Sequence, residues 1–155
     1  MIKTITKEES LALLRSNYIG NLAYIYNNQP YIVPMTYYFD EKINAIICYT
    51  AEGHKIKAMR KYNVVSFEVT DIKSIDDWIS VLVEGVFEEL SGSNSKLKLH
   101  QFSLGIKNII KEKEEREVDT ISDFSSKIYK TDLPIAFLIK IDQINGKKRN
   151  YFGYL

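Results

Sequence analysis

The chain has 155 residues, 45% hydrophobic and 26% charged, with 21 Lys and Arg against 20 Asp and Glu, a formal net charge of +1. This composition supports one domain, residues 1–155, with a substantial core and excludes a disordered chain; the near-neutral balance also argues against nucleic acid as a main partner, since affinity for phosphate backbones needs a basic excess. One cysteine, Cys48, allows no internal disulfide, and two histidines, His54 and His100, leave too few soft ligands for zinc, so a metal-free, cytoplasmic protein is expected.

In chain order, the first residues place Glu8 and Glu9 where a secretion signal needs an apolar stretch, and no later apolar run approaches about 20 residues, so neither secretion nor membrane insertion is expected. Thr6-Lys7-Glu8-Glu9 fits a capping box and predicts a short helix to about Arg15, burying Leu11 and Leu14 and leaving Lys7, Glu8 and Arg15 in solvent. Aromatic and β-branched residues predict a strand over Tyr18 to Tyr26, a turn at Asn27-Asn28-Gln29-Pro30, and a second strand over Tyr31 to Phe39. Pro34 cannot donate to a ladder, which implies an edge, a bulge or a backbone that serves a ligand. Ile43 to Thr50 predicts a third strand with Ile43, Ala45, Ile47 and Tyr49 on one face and Ile46 and Cys48 on the other.

At Ala51-Glu52-Gly53-His54-Lys55 the period changes to about 3.6, predicting a short helix to about Asn63. Val64 to Thr70 predicts a strand, Asp71 to Asp77 a loop, and Trp78 to about Leu90 a long strand. Leu99, Phe102, Ile106, Ile109 and Ile110 mark an amphipathic helix to about Glu115, and a second short helix is expected between Ser122 and Lys130. The mixed charge run Lys111 to Glu117 reads as a solvated helix end. Pro134 then introduces a last strand, Ile135 to Ile144, closed by a turn at Asn145-Gly146. Six strands with few helices, among 11 Tyr and 7 Phe, predict a small antiparallel barrel of the α+β class.

The strongest chemical signal is Thr50-Ala51-Glu52-Gly53-His54-Lys55. A strand end feeding a helix start exposes backbone N–H groups at the positive end of the helix dipole, Gly53 permits close approach, and His54 and Lys55 add donors, so a single phosphate group is the indicated ligand. A glycine turn with solvated basic residues is the alternative. No nucleotide-binding glycine-rich loop is present. His54 has no Ser, Cys or acid partner that sequence can place beside it, Cys48 reads as a small buried hydrophobe, and His100 as a surface residue. Trp78 reads as core or subunit interface; Glu84, Glu88 and Glu89 read as surface ladder residues. The tyrosines of the first two strands read as core or dimer contacts, with stacking on a planar ring as the functional alternative.

Taken together, Asn17 to Ala23, Pro30 to Tyr37, Glu52-Gly53-His54-Lys55, Asn63 to Val69, Trp78 to Val81 with Gly85, and Ile144 to Lys147 resemble, in order and spacing, the pyridoxamine 5'-phosphate oxidase-like, FMN-binding split-barrel flavoproteins, especially the nitroimidazole-resistance branch. The resemblance implies a six-stranded antiparallel split β-barrel with peripheral helices, a helical insertion at about 93–131, and a homodimer with FMN sites at the interface. It implies that Pro34, Met35 and Thr36 run along the flavin ring. Thr50, Gly53, His54 and Lys55 would hold the phosphate, while Ser80, with Trp78, reaches the flavin from the other subunit. His54 would lie near the substrate as the catalytic residue. The implied activity is FMN-dependent oxidation or reduction of small molecules, nitro compounds included, with NAD(P)H as a reductant; a non-catalytic flavin- or haem-binding module is the alternative. The pyridoxamine phosphate oxidases themselves carry Arg where this chain has His54, and Asn150 to Leu155 lacks their substrate-binding Arg/His segment, which argues against vitamin B6 as substrate.

Overall fold

The computed structural model describes residues 1–116 and 134–150. Its elements run β1 (Ile2–Thr4), α1 (Lys7–Ser16), β2 (Ile19–Tyr26), β3 (Gln29–Thr36), β4 (Tyr38–Asp40), β5 (Ala45–Thr50), α2 (His54–Lys61), β6 (Val64–Ser74), β7 (Asp77–Glu89), α3 (Gly92–Glu114) and β8 (Ile135–Arg149). Among the described residues eight strands form one antiparallel sheet in the order β3-β2-β6-β7-β8-β5-β4, with β1 added along β8. The two ends of that path, β3 and β4, are consecutive in sequence and separated by Tyr37 alone. The sheet must therefore curl until its ends meet, which makes a barrel split at this point.

Local chemistry explains most elements. The capping box at α1 is present, with Thr6 accepting from Glu9 N–H at 3.1 Å and the Glu9 carboxylate accepting from Thr6 N–H at 2.8 Å. Asn27 and Asn28 both have positive φ, the conformation of a two-residue type I′ hairpin turn, and so set the β2–β3 register that pairs Tyr24 with Tyr31. The expected alternation on the third strand holds from Ala45 onward: Ile46 and Cys48 enter the barrel core, whereas Ala45, Ile47 and Tyr49 face a second apolar cluster with Phe102, Ile106 and Ile110 of α3; Ile43, expected on the same face, lies in the preceding turn and is exposed. Helix α3 thus closes one outer face of the sheet. The second expected helix, Ser122 to Lys130, lies outside the described residues.

Three differences have physical causes. The strand expected over Tyr31 to Phe39 is two strands, because Tyr37 turns inward at the split; its ring is fully buried against Phe67, and its hydroxyl donates to the Leu14 carbonyl at 2.8 Å. That carbonyl is one of the last-turn acceptors of α1 that no helical N–H can reach. The loop expected from Asp71 to Asp77 shrinks to a tight hairpin, since β6 runs to Ser74 and β7 starts at Asp77. The turn expected at Asn145-Gly146 is absent. There β8 continues to Arg149 because β1 and β7 pair with it on both sides. Gly146 instead permits close packing: a Cβ there would overlap the side chains of Ile5 and Ser10.

The Gly146→Ala variant is therefore expected to lose about 1–3 kcal/mol from overpacking, read as a lower urea midpoint with unchanged m. Tyr37→Phe, which leaves the buried Leu14 carbonyl without its donor, is expected to cost about 1–3 kcal/mol in the same measurement.

Candidate functional site

Strand β5 delivers Thr50, half-buried, to a three-residue connection that ends at Gly53, the N-cap of α2. Ile56, Ala58 and Met59 anchor the helix in the barrel core. The first helical hydrogen bond runs from Lys57 N–H to the Gly53 carbonyl at 3.1 Å, so the N–H groups of His54, Lys55 and Ile56 have no acceptor within the helix. Among the described residues nothing compensates them as the capping box does in α1: Gly53 supplies no side-chain bond and the first turn contains no acid. It carries His54 and Lys55 instead. A lysine at the positive end of a helix is electrostatically unfavourable until an anion joins it. Lys55 has no ion-pair partner among the described residues, in contrast to Arg60 further along α2, whose guanidinium bonds Glu52 at 2.7 Å and Glu89 at 2.7 and 2.8 Å. That pairing holds the Glu89 carboxyl below the usual carboxylate range and ties up Arg60.

Around Gly53 the space is open, with nothing within 4 Å of where a Cβ would stand, and its φ of 173° is extended backbone that any residue adopts. Neither packing nor conformation of this chain requires glycine there. The room, the free N–H groups and the uncommitted ammonium together suit a phosphate group.

His54 is held by the β2–β3 hairpin. The Tyr24 hydroxyl lies 2.9 Å from His54 Nδ1, and the imidazole stands edge to face with Tyr26 and Tyr31 at centroid distances of 4.9 and 4.8 Å. Tyr24 and Tyr31, cross-strand partners, stack at 5.4 Å, and Lys61 lies 5.4 Å from the Tyr26 ring centre. Burial pushes the Tyr24 phenol above its ordinary range. Sequence reasoning left these tyrosines without a specific partner. Their positions on either side of an Asn-Asn turn carried the signal, since a two-residue loop makes Tyr24 face Tyr31.

Pro34, Met35 and Thr36 lie on β3, a terminal strand of the sheet path whose one ladder partner among the described residues is β2. Pro34 is thus on an edge, as its missing donor demands. Met35 points into the core while Pro34 and Thr36 face outward. The registers align Thr36 with Ile19 of β2, and Thr70 of β6 with Ser80 of β7. Because cross-strand partners share a face, these residues form one outward-facing strip, with Thr36 and Ser80 three strand spacings, about 14 Å, apart. Trp78 lies two residues before Ser80 on the same face and is half-buried. Trp78 and Ser80 sit at the end of β6–β7 away from α2: Val64, just after α2, pairs with Val86, and Ile72 pairs with Trp78, about 26 Å along the strand. One chain by itself therefore gathers Thr50, Gly53, His54 and Lys55 at a single junction but leaves Trp78 and Ser80 apart from it. On the strip between Thr36 and Ser80 the outward face holds a cleft of about 300 Å³ lined by Asn17, Ile19, Asn21, Glu68, Thr70 and Lys113.

Cys48 is fully buried, with its thiol pushed up by burial, and His100 is exposed on α3, so neither joins the site. Among the described residues no cluster of His, Cys, Asp or Glu could hold a metal ion, and no helix is long and apolar enough to cross a membrane.

Comparison with known proteins bears on this geometry. The family model for pyridoxamine 5'-phosphate oxidase matches residues 6–134. An uncharacterised protein of Rhizobium meliloti is 26% identical over 148 residues, covering 94% of each chain. Among solved structures, an FAD-binding protein of Mesorhizobium loti superposes with a TM-score of 0.73 at 25% identity, covering 96% of both chains. A candidate 5-nitroimidazole antibiotic resistance protein of Bacteroides thetaiotaomicron shares the fold with a TM-score of 0.67 at 15% identity, over 96% of this chain and 89% of the other. The split barrel, the helix-start donors and a family match spanning most of the sequence lead to one assignment: the chain belongs to the pyridoxamine 5'-phosphate oxidase family.

Proposed function

We propose that this protein is an FMN-dependent oxidoreductase of small molecules, acting in the cytoplasm as a homodimer whose two cofactor sites lie at the subunit interface. The observation that carries the reading is the open N-terminus of α2, where three backbone N–H groups and Lys55, all without partners among the described residues, suit the terminal phosphate of a flavin mononucleotide. Thr50 stands at the strand end beside that junction and contributes a hydroxyl. The edge backbone of Pro34, Met35 and Thr36 forms the wall along which the ring lies, with Pro34 and Thr36 facing outward, on a strand whose second edge makes no ladder among the described residues. When bound, the flavin supplies hydride or electron transfer; the protein's part is to hold it, orient it and leave one face accessible. The name of the Mesorhizobium loti protein supports a flavin and specifies FAD. The start of α2, with its three N–H donors and one lysine, suits a single terminal phosphate and so favours the mononucleotide.

The outer sheet face supports the dimer. It exposes Ile32 at 73%, Ile19 at 56% and Leu82 at 39%, an apolar surface of the kind subunits cover. Two copies joined through this face would bring Ser80 and Trp78 of one to the β3 edge of the other, which one chain does not achieve. His54 is the residue assigned to meet the substrate. Nitro compounds are the proposed acceptor class and NADH or NADPH the reductant.

The test is a fluorescence titration with FMN and FAD, followed by chromatography of the chromophore released from purified protein. FMN is expected to bind, with Lys55→Ala weakening it at least tenfold and Gly53→Ala weakening it severalfold while leaving the urea midpoint unchanged. Equal affinity in all three proteins would remove the phosphate from this junction, and release of FAD alone would replace the mononucleotide. Failure of NADH and NADPH to bleach a bound flavin would overturn the enzymatic part and leave a binding module.

Leu82→Arg is expected to give a folded monomer in sedimentation that has also lost flavin affinity. A monomer that binds FMN as tightly as the wild type would place the site within one chain.

A further inference from the structure

We infer that Tyr24 is a positioning residue that fixes His54 as the Nε2–H tautomer, so that His54 serves the site as a neutral hydrogen-bond donor to an oxygen acceptor rather than as a proton-abstracting base. The inference rests on the functional reading above for its consequence, and on the contact between Tyr24 and His54 for its content. A phenol and an imidazole 2.9 Å apart share one hydrogen, and either could supply it. Phenol is the stronger acid of the two and an imidazole nitrogen the stronger base, so the bond runs from the Tyr24 hydroxyl to Nδ1.

The surroundings point the same way. His54 opens α2, whose first turn presents N–H donors with no acceptor within the helix. A protonated Nδ1 would have the weak phenolic oxygen as its acceptor among the described residues. Tyr24 is nearly fully buried and stacked on Tyr31, and burial keeps its phenol protonated, hence able to donate. Tyr26 and Tyr31, edge to face with the imidazole, restrain its rotation.

With Nδ1 occupied as an acceptor, the ring proton resides on Nε2, since the bond made by one ring nitrogen sets the state of the other. The ligand class that such a group recognises is an oxygen acceptor: a phosphate, a carbonyl or a nitro oxygen. The contact adds one more donor to the set at the start of α2. It explains why an edge hairpin with three tyrosines is packed against the one residue of this helix start that bears an imidazole.

Long-range proton–nitrogen correlation spectra of the ¹⁵N-labelled protein test this, recorded above the ordinary histidine titration range, with and without added FMN. Only two histidines contribute, and His100→Gln, a change at an exposed position outside the site, identifies the signals of His54. The expected spectrum shows Nδ1 as the unprotonated nitrogen and Nε2 as the protonated one. In Tyr24→Phe, which keeps the ring stack, the preference for Nε2–H should fall about fivefold, the worth of a typical hydrogen bond. A protonated Nδ1 in the wild type would overturn the inference, as would a Tyr24→Phe spectrum identical to it; circular dichroism verifies that the variant is folded. Absence of FMN binding to the wild type would overturn the functional reading while leaving the tautomer readout intact, so the two failures are distinguishable.

Discussion

The structure depends on how the sheet ends meet. Strands β3 and β4 stand at opposite ends of the strand order yet are joined by a single residue, so the sheet has to close on itself wherever Tyr37 goes. Tyr37 goes inward. Its ring fills the barrel against Phe67, and its hydroxyl satisfies the Leu14 carbonyl at the end of α1, coupling the split of the barrel to the helix that caps it. A buried phenol is tolerable only because that hydroxyl is bonded.

Closure of this kind leaves β3 without a second ladder partner among the described residues, and the rest of the site follows from that. An unpaired edge is a hazard for aggregation unless something covers it or blunts it. Here Pro30 and Pro34 blunt it, and the same strand supplies the wall proposed for a planar cofactor. Helix α2 starts beside the hairpin, so the helix end proposed for the phosphate and the edge strand belong to one region of the molecule. The hairpin does two jobs there: it offers the edge, and through Tyr24, Tyr26 and Tyr31 it fixes the orientation of His54.

The polar contacts sort the basic residues of this region by availability. Arg60 is taken by Glu52 and Glu89, and a guanidinium engaged by two carboxylates is a poor ligand for a third anion. Lys55, nearer the helix start, has no such partner among the described residues. On the far side of the sheet α3 covers Ala45, Ile47, Ala136 and Leu138 and is pinned to β4 by the half-buried Lys98–Asp40 pair at 3.2 Å. Among the described residues no helix covers the face carrying Ile19, Ile32 and Leu82, which are exposed.

Much of this was legible in the sequence because it is set by neighbours in the chain. The capping box at Thr6 to Glu9, the hairpin at Asn27-Asn28, the two-faced strand around Cys48 and the strand-to-helix junction at Gly53 each depend on a few consecutive side chains and their hydrogen bonds. So did the order of motifs that marked the family. Where the reading failed, a distant segment had overruled a local preference: Asn145-Gly146 has turn chemistry, but pairing with β1 and β7 on both sides keeps β8 extended, and the glycine is there to admit Ile5 and Ser10. Tyr37 likewise reads as one more strand residue until the ends of the sheet are known. Which tyrosines hold His54, which arginine is already paired, and which face α3 covers are decided only when strands far apart in sequence come into register. These are contacts between segments, and their energies do not exist until the barrel closes.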